Sequence, residues 1–153
     1  SAFGEALPLK APARQDGPAP RDAGGIERRR IRDLDLAARD VDRAAGLARA
    51  LVKGGLPALE VTLRTPAALD VIREMASVDG GVVGAGTLLT PQDVENAKEA
   101  GAKFGVSPGA TDALLDACEA NDLPLLPGAA TATEAMRLLE RGYTVQKFFP
   151  AEA

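Results

Sequence analysis

Apolar positions in this chain change period in a regular succession. From Val41 they recur at helical spacing: Val41, Ala44, Ala45, Leu47, Ala48, Leu51 and Val52 share one face, and Lys53-Gly54-Gly55 ends the run. Beyond that helix, short β-rich runs alternate with helical ones. The pattern predicts strands over 58–64, 82–87, 104–107, 123–126 and 144–149, and helices over 66–77, 91–100, 111–120 and 133–141. Thr65-Pro66, Thr90-Pro91 and Thr111 stand where three of these helices begin, threonine as the cap and, in the first two, proline as the first helical residue. Strand, helix, strand, repeated, implies an α/β fold on a parallel sheet. The strand ends Arg64, Thr87, Ser107, Gly128 and Lys147 recur at intervals of 19 to 23 residues, which leaves room only for short loops. A (β/α)8 barrel and a doubly wound sheet both fit that spacing.

Composition changes this picture at the N-terminus first. Residues 1 to 25 hold Pro8, Pro12, Pro18, Pro20 and four glycines among small and charged residues, too little apolar area to offset chain entropy. The expectation is a disordered leader over 1–28 and one folded domain over 29–153. Arg28, Arg29, Arg30 and Arg32 are followed at once by Asp33 and Asp35, so the cluster reads as a solvated charged face rather than a nucleic-acid arm. The chain of 153 residues is 46% hydrophobic, enough for one core. No apolar run approaches the roughly 20 residues of a spanning helix, and the N-terminus lacks signal-peptide order. A cytoplasmic protein without membrane contact is expected. Eighteen basic against 22 acidic residues, with 3% aromatic, argue against nucleic acid as a partner. A single Cys118 cannot make an intramolecular disulfide, and without histidine neither a His-based zinc site nor a Ser-His-Asp triad can be built. Catalysis would fall to carboxylates, lysine, arginine or hydroxyls.

Two strands carry residues of that kind. In Ala58-Leu59-Glu60-Val61-Thr62-Leu63-Arg64, alternation sets Leu59, Val61 and Leu63 against Glu60, Thr62 and Arg64. The apolar face packs under helices, so the polar one points into a barrel interior or cleft, where an unpartnered Glu is costly. A Glu60–Arg64 ion pair is the structural alternative, but four residues of strand hold the two about 13 Å apart. In Thr144-Val145-Gln146-Lys147-Phe148-Phe149-Pro150, Lys147 shares a face with Val145 and Phe149. Burial there would favour the neutral amine, which can attack a ketone, and a snorkelling lysine is the alternative. Glu60 favours the reactive reading, because Schiff-base chemistry needs a proton shuttle. Val83-Gly84-Ala85-Gly86-Thr87 is not a dinucleotide turn, since Leu89 stands where the third glycine belongs. It can still admit substrate close to the backbone, with Thr87 as a donor, and a plain tight turn is the alternative. Ser107-Pro108-Gly109 and Pro127-Gly128 read as turns. Cys118 reads as a small core residue, and Lys98 and Lys103 as solvent-facing.

Read together, Leu59 to Thr65, Val83 to Thr87, Ser107-Pro108-Gly109 and Lys147-Phe148-Phe149-Pro150-Ala151-Glu152-Ala153 strongly resemble the 2-keto-3-deoxy-6-phosphogluconate (KDPG) and 4-hydroxy-2-oxoglutarate (KHG) aldolase family, over about Val41 to Ala153. The resemblance implies a (β/α)8 TIM barrel, a metal-free class I aldolase mechanism, a 2-oxo acid substrate and a homotrimer. It makes Lys147 the Schiff-base lysine and Glu60 the acid/base, and it gives Arg64 and Thr87 to the pyruvate-derived carboxylate. Pyruvate would leave with glyceraldehyde 3-phosphate or with glyoxylate.

Two departures from the family qualify that expectation. Ile26 to Asp35 is too charged for the expected first barrel strand, and a reading-frame disruption upstream of about Val41 would account for it. At the other end, strands 2 to 6 are recognisable while strands 7 and 8, with their phosphate-binding loops, are not. The barrel is expected to be incomplete. Besides the aldolase, a non-catalytic association module and a doubly wound nucleotide-binding domain are weighed; the last lacks both a third glycine and a Gly-Lys-Ser/Thr phosphate loop.

Overall fold

A computed structural model describes Arg32–Asp33 and residues 40–151; the expected leader over 1–28 lies outside the described residues. In chain order the elements are β1 (Arg32–Asp33), α1 (Val41–Lys53), β2 (Ala58–Thr62), α2 (Ala68–Ala76), β3 (Val82–Gly86), α3 (Pro91–Glu99), β4 (Phe104–Val106), α4 (Asp112–Ala120), β5 (Leu125–Leu126), β6 (Gly128–Ala129), α5 (Ala132–Glu140) and β7 (Lys147–Phe148). The succession read from periodicity holds. Its boundaries shift by a few residues, mostly because strands stop earlier than the apolar pattern does.

Strand order separates the two architectures that spacing left open. The five-stranded sheet runs β1-β2-β3-β4-β5, every pair parallel and every neighbour consecutive in the chain. Parallel crossovers are right-handed, so consecutive order carries each helix to the same face. A doubly wound sheet would reverse direction midway. Leu59, Val61, Val83, Ala85 and Leu125 accordingly join the buried residues of the helices, Ala44, Ala48, Val71, Ile72, Val94, Ala97, Leu114 and Leu115, in one core. Successive helices lean on each other, α1 on α2 and α3 on α4. The opposite face of the sheet carries Glu60, Gly84, Gly86, Phe104 and Val106, by register.

Periodicity predicts a strand over 123–126 closed by a Pro127-Gly128 turn, but the structure makes 125–129 a single bent strand segment. That segment passes from one neighbour to the next. Its first half pairs with β4, through Gly105 N–H to Pro124 O at 2.8 Å and Ser107 N–H to Leu126 O at 3.2 Å. Its second half pairs with β7, through Lys147 N–H to Pro127 O at 2.8 Å and Phe149 N–H to Ala129 O at 3.1 Å. Pro127 sits between them without an N–H to give to either side, which divides one bent strand into β5 and β6. Gly128 is therefore a strand residue, not a turn residue; a Cβ there would run into the Pro108 carbonyl.

Other expectations are corrected. The charged stretch does supply a strand: Arg32 and Asp33 pair in parallel with Leu59 and Glu60. Backbone pairing answers the edge groups of β2 whatever the side chains are. Helix α2 begins at Ala68 with Ala67 as its cap residue and no side-chain capping bond, so Thr65 is not its cap. A tight turn intervenes, with Arg64 N–H on Thr62 O and Ala68 N–H on Thr65 O. Conversely α5 begins at Ala132 rather than 133, capped by Thr131. Cys118 lies buried on α4 as expected, and Lys98 and Lys103 are exposed. Among the described residues no helix is long and apolar enough to cross a membrane.

Candidate active site

The described strands are parallel, so their C-terminal ends open on one rim. Glu60 comes to that rim from β2. Although carboxylates are rarely buried, Glu60 is only 4% exposed, held there because alternation gives Leu59 and Val61 to the core and leaves position 60 to the inner face. In register it lies opposite Gly84, but its carboxylate leans one pleat further and rests on Gly86. Phe104 reaches over Gly84 from the next strand, its ring in the space a Cβ would take. Bare glycine Cα atoms thus make room for both side chains.

Thr87 follows directly. Its φ of 63° is a left-handed conformation in which a β-branched residue is an outlier costing about 1–3 kcal/mol, and such strain gathers at functional sites. The chain is fixed on both sides of it: Leu63 N–H bonds Gly86 O at 2.9 Å and Leu88 N–H bonds Val106 O at 3.1 Å. Sequence reading anticipated Thr87 as a rim residue but not its strain. Ser107 is the residue it missed. Wholly buried at the end of β4, its hydroxyl makes no hydrogen bond among the described residues; Ser-Pro-Gly reads as a turn, and nothing local signals burial.

Lys147 reaches the same rim from β7, in register with Gly128. It shares its face with Phe149 as alternation predicts, Nζ standing 5.1 Å from the ring centroid, within cation–π range. The enclosure expected for this lysine is not there: Lys147 is half-buried, and Val145 and Phe149 are exposed. Among the described residues β7 pairs with β6 alone, so only one flank is covered. Lys147 also borders a cleft of about 270 Å³ with Ala129, Thr131, Gln146 and Phe148. Arg64 departs from expectation too. It is exposed in the turn after β2 rather than on the strand face, so the 13 Å strand spacing does not apply to it.

The structure therefore gathers Glu60, Gly86 and Thr87 in one group on the five-stranded sheet and Lys147, Gly128 and Phe149 in another on the β6–β7 pair. A second cleft, about 280 Å³ between α4 and α5, reaches Gly128 from the helix side and is lined by Asp112, Arg137 and Arg141. Those side chains are paired with each other. No group of carboxylates and thiol among the described residues is arranged to hold a metal.

Consecutive parallel strands with polar side chains at their C-terminal ends define the (β/α) barrel class of enzyme scaffold. Within that class the chain belongs to the KDPG and KHG aldolase family, whose model matches residues 29–153 and so extends upstream of the Val41 limit read from the motifs. It is 48% identical over 119 residues to the 2-dehydro-3-deoxy-phosphogluconate aldolase of Pseudoalteromonas atlantica, covering 77% of this chain and 55% of that protein. Against the KHG/KDPG aldolase of Escherichia coli K12 it is 46% identical, covering 77% and 56%. The chain spans about half the length of these relatives. Among solved structures, the Zymomonas mobilis ZM4 KDPG aldolase with 3-phosphoglycerate superposes with a TM-score of 0.69 at 50% identity, over 74% of this chain and 54% of that one. The KDPG aldolase of Legionella pneumophila, with pyruvate captured as a covalent carbinolamine, gives 0.69 at 42% identity, over 74% and 55%.

Proposed function

We propose that this protein is a class I aldolase that cleaves KDPG to pyruvate and glyceraldehyde 3-phosphate, KHG to pyruvate and glyoxylate, or both. The observation that carries the reading is a buried carboxylate, Glu60 on β2, together with a half-buried lysine, Lys147 on β7, both carried by parallel strands of one strand–helix succession. In this reading Lys147 Nζ adds to the C2 carbonyl and the carbinolamine loses water to give an iminium. The C3–C4 bond then breaks, its electron pair passing into the iminium to form an enamine while the C4 hydroxyl proton is removed. Glu60 moves that proton, and later delivers one to C3 before hydrolysis frees pyruvate. Arg64 and Thr87 hold the carboxylate, Arg64 offering its guanidinium fork from the turn after β2. The relatives' names, and the carbinolamine captured in the Legionella protein, support the chemistry. We further propose a homotrimer located in the cytoplasm that works without metal or cofactor.

A second reading, an association module without catalysis, is favoured by one observation: Met136 and Leu139 on α5 and Phe148 on β7 are all exposed. Borohydride reduction in the presence of pyruvate, followed by intact mass and peptide mapping, separates the two. A class I aldolase gives an adduct on Lys147 that is absent from Lys147→Ala. A folded sample without adduct would sink the aldolase reading and advance the module.

A further inference from the structure

Gly86 has no conformational reason to be glycine. It is the last residue of β3, paired within a regular parallel ladder, and its φ lies outside the left-handed region where Thr87 and four other glycines are found. A glycine in a strand gives up packing and chain stiffness, so the reason must be space. What takes that space is a single side chain. A Cβ on Gly86 would overlap Glu60 Oε1 outright and stand 2.9 Å from its Cδ and 3.0 Å from its Cγ. Because Cδ and Cγ are close as well as Oε1, turning the carboxyl group about its last bond would not by itself relieve the clash; the side chain would have to shift with it. Little room exists for that, since Glu60 is buried and Phe104 fills the space over Gly84 next to it. Gly84 is thus a packing glycine, answering an aromatic ring, whereas Gly86 answers a carboxylate.

We infer that Gly86 is a positioning residue for the aldolase reaction: its bare Cα is the seat that sets the Glu60 carboxylate one pleat toward the rim, beside the strained Thr87. The inference rests on the reading of Glu60 as the proton carrier. A misplacement of about 1 Å at a reacting group lowers rates about 100-fold, which is the effect a methyl group at position 86 should have on proton transfer. Lysine chemistry, carried by a strand on the far side of β4, should survive it.

The test is Gly86→Ala, read by two assays and one cycle. Exchange of the pyruvate methyl protons with deuterated solvent reports proton transfer and should fall about 100-fold. Borohydride trapping at Lys147, taken to its end point, should persist. Because Gly86 acts through Glu60, the Gly86→Ala/Glu60→Gln pair should exchange no more slowly than Glu60→Gln alone. Exchange at the parent rate in Gly86→Ala, or multiplied losses in the pair, would overturn the inference. Should Gly86→Ala fail to fold, Glu60→Ala/Gly86→Ala decides: the methyl then enters the emptied carboxylate space and the melting temperature returns toward that of Glu60→Ala. No recovery would overturn the seat. That stability cycle needs no activity, so it stands apart from the aldolase reading, which fails on its own if the parent protein gives no Lys147 adduct.

Discussion

Cys118 and Tyr143 show how far burial alone can set chemistry in this molecule. The thiol is packed on the inner side of α4 with Leu114 and Leu115, and burial, helped by the neighbouring Glu119 charge, pushes it up to about 11 from 9.0. Tyr143 is 1% exposed and donates to Glu119 Oε1 at 3.4 Å; burial first, then Glu119, pushes its phenol up to about 12 from 10.0. In both, the folded state keeps its proton after the unfolded chain has lost it. Stability from these groups is therefore complete below pH 9 and declines as pH rises, through 9 to 11 for the thiol and 10 to 12 for the phenol. Urea midpoints measured from pH 7 to 12 should hold to about 9 and then fall, and Tyr143→Phe should flatten the upper part of that fall. An unchanged slope in the variant would show that the phenol is not what titrates. The same residue scale marks the limit of sequence reading. The faces of Glu60 and Lys147 were legible because alternation fixes a face from neighbours alone, and Thr87 because it follows a glycine-bearing strand. The half-burial of Lys147 and the exposure of Arg64 were not, since both depend on what stands across the sheet and on where a turn begins.

At the scale of elements, the helix starts carry much of the local specification. Thr90 and Thr131 each form a reciprocal box with the residue three further on. Thr131 Oγ1 accepts from Glu134 N–H at 3.3 Å, while Glu134 Oε2 accepts from Thr131 and Ala130 N–H at 3.0 and 2.9 Å. Thr131→Ala should cost about 1 kcal/mol in a denaturant titration, and a loss near zero would mean that α5 is held by its packing alone. The backbone donors of Ala130 and Thr131 hold the Glu134 carboxyl below its ordinary 4.5. Its contribution is present above pH 4.5 and is lost as pH falls through the lowered folded value, so Glu134→Gln should shallow the acid limb of the stability profile. The Thr131-x-x-Glu134 spacing was visible in the sequence, yet the apolar period of α5 pointed to a start one residue downstream. Thr65 misled in the opposite way, because a Thr-Pro pair fits a turn as well as a helix start. At the far end of α5, Arg141 binds Asp112, Asp116 and Glu119 of α4, a tie between helices that no local pattern announces.

For the molecule as a whole, periodicity specified five strand segments and their parallel sense but not their order, because order is written in hydrogen bonds between residues far apart in the chain. Nothing in 125–129 says that one bent strand will leave β4 for β7; the absent N–H of Pro127 permits the handover without dictating it. The same long-range dependence explains the surface. Helix α5 buries Leu138 but leaves Met136 61% and Leu139 53% exposed, and Phe148 on β7 is 64% exposed. Met136 and Leu139 are three residues apart and so form a stripe of their own, separate from the face that Leu138 turns to the core. Exposed apolar stripes mark surfaces of association, since each buried square ångström is worth about 25 cal/mol. Met136→Lys/Leu139→Lys should therefore reduce the mass seen by light scattering at high protein concentration, while far-UV dichroism stays unchanged because neither side chain belongs to the core. Equal masses for parent and variant would show that α5 contributes nothing to association, and any assembly would then have to be built from another face.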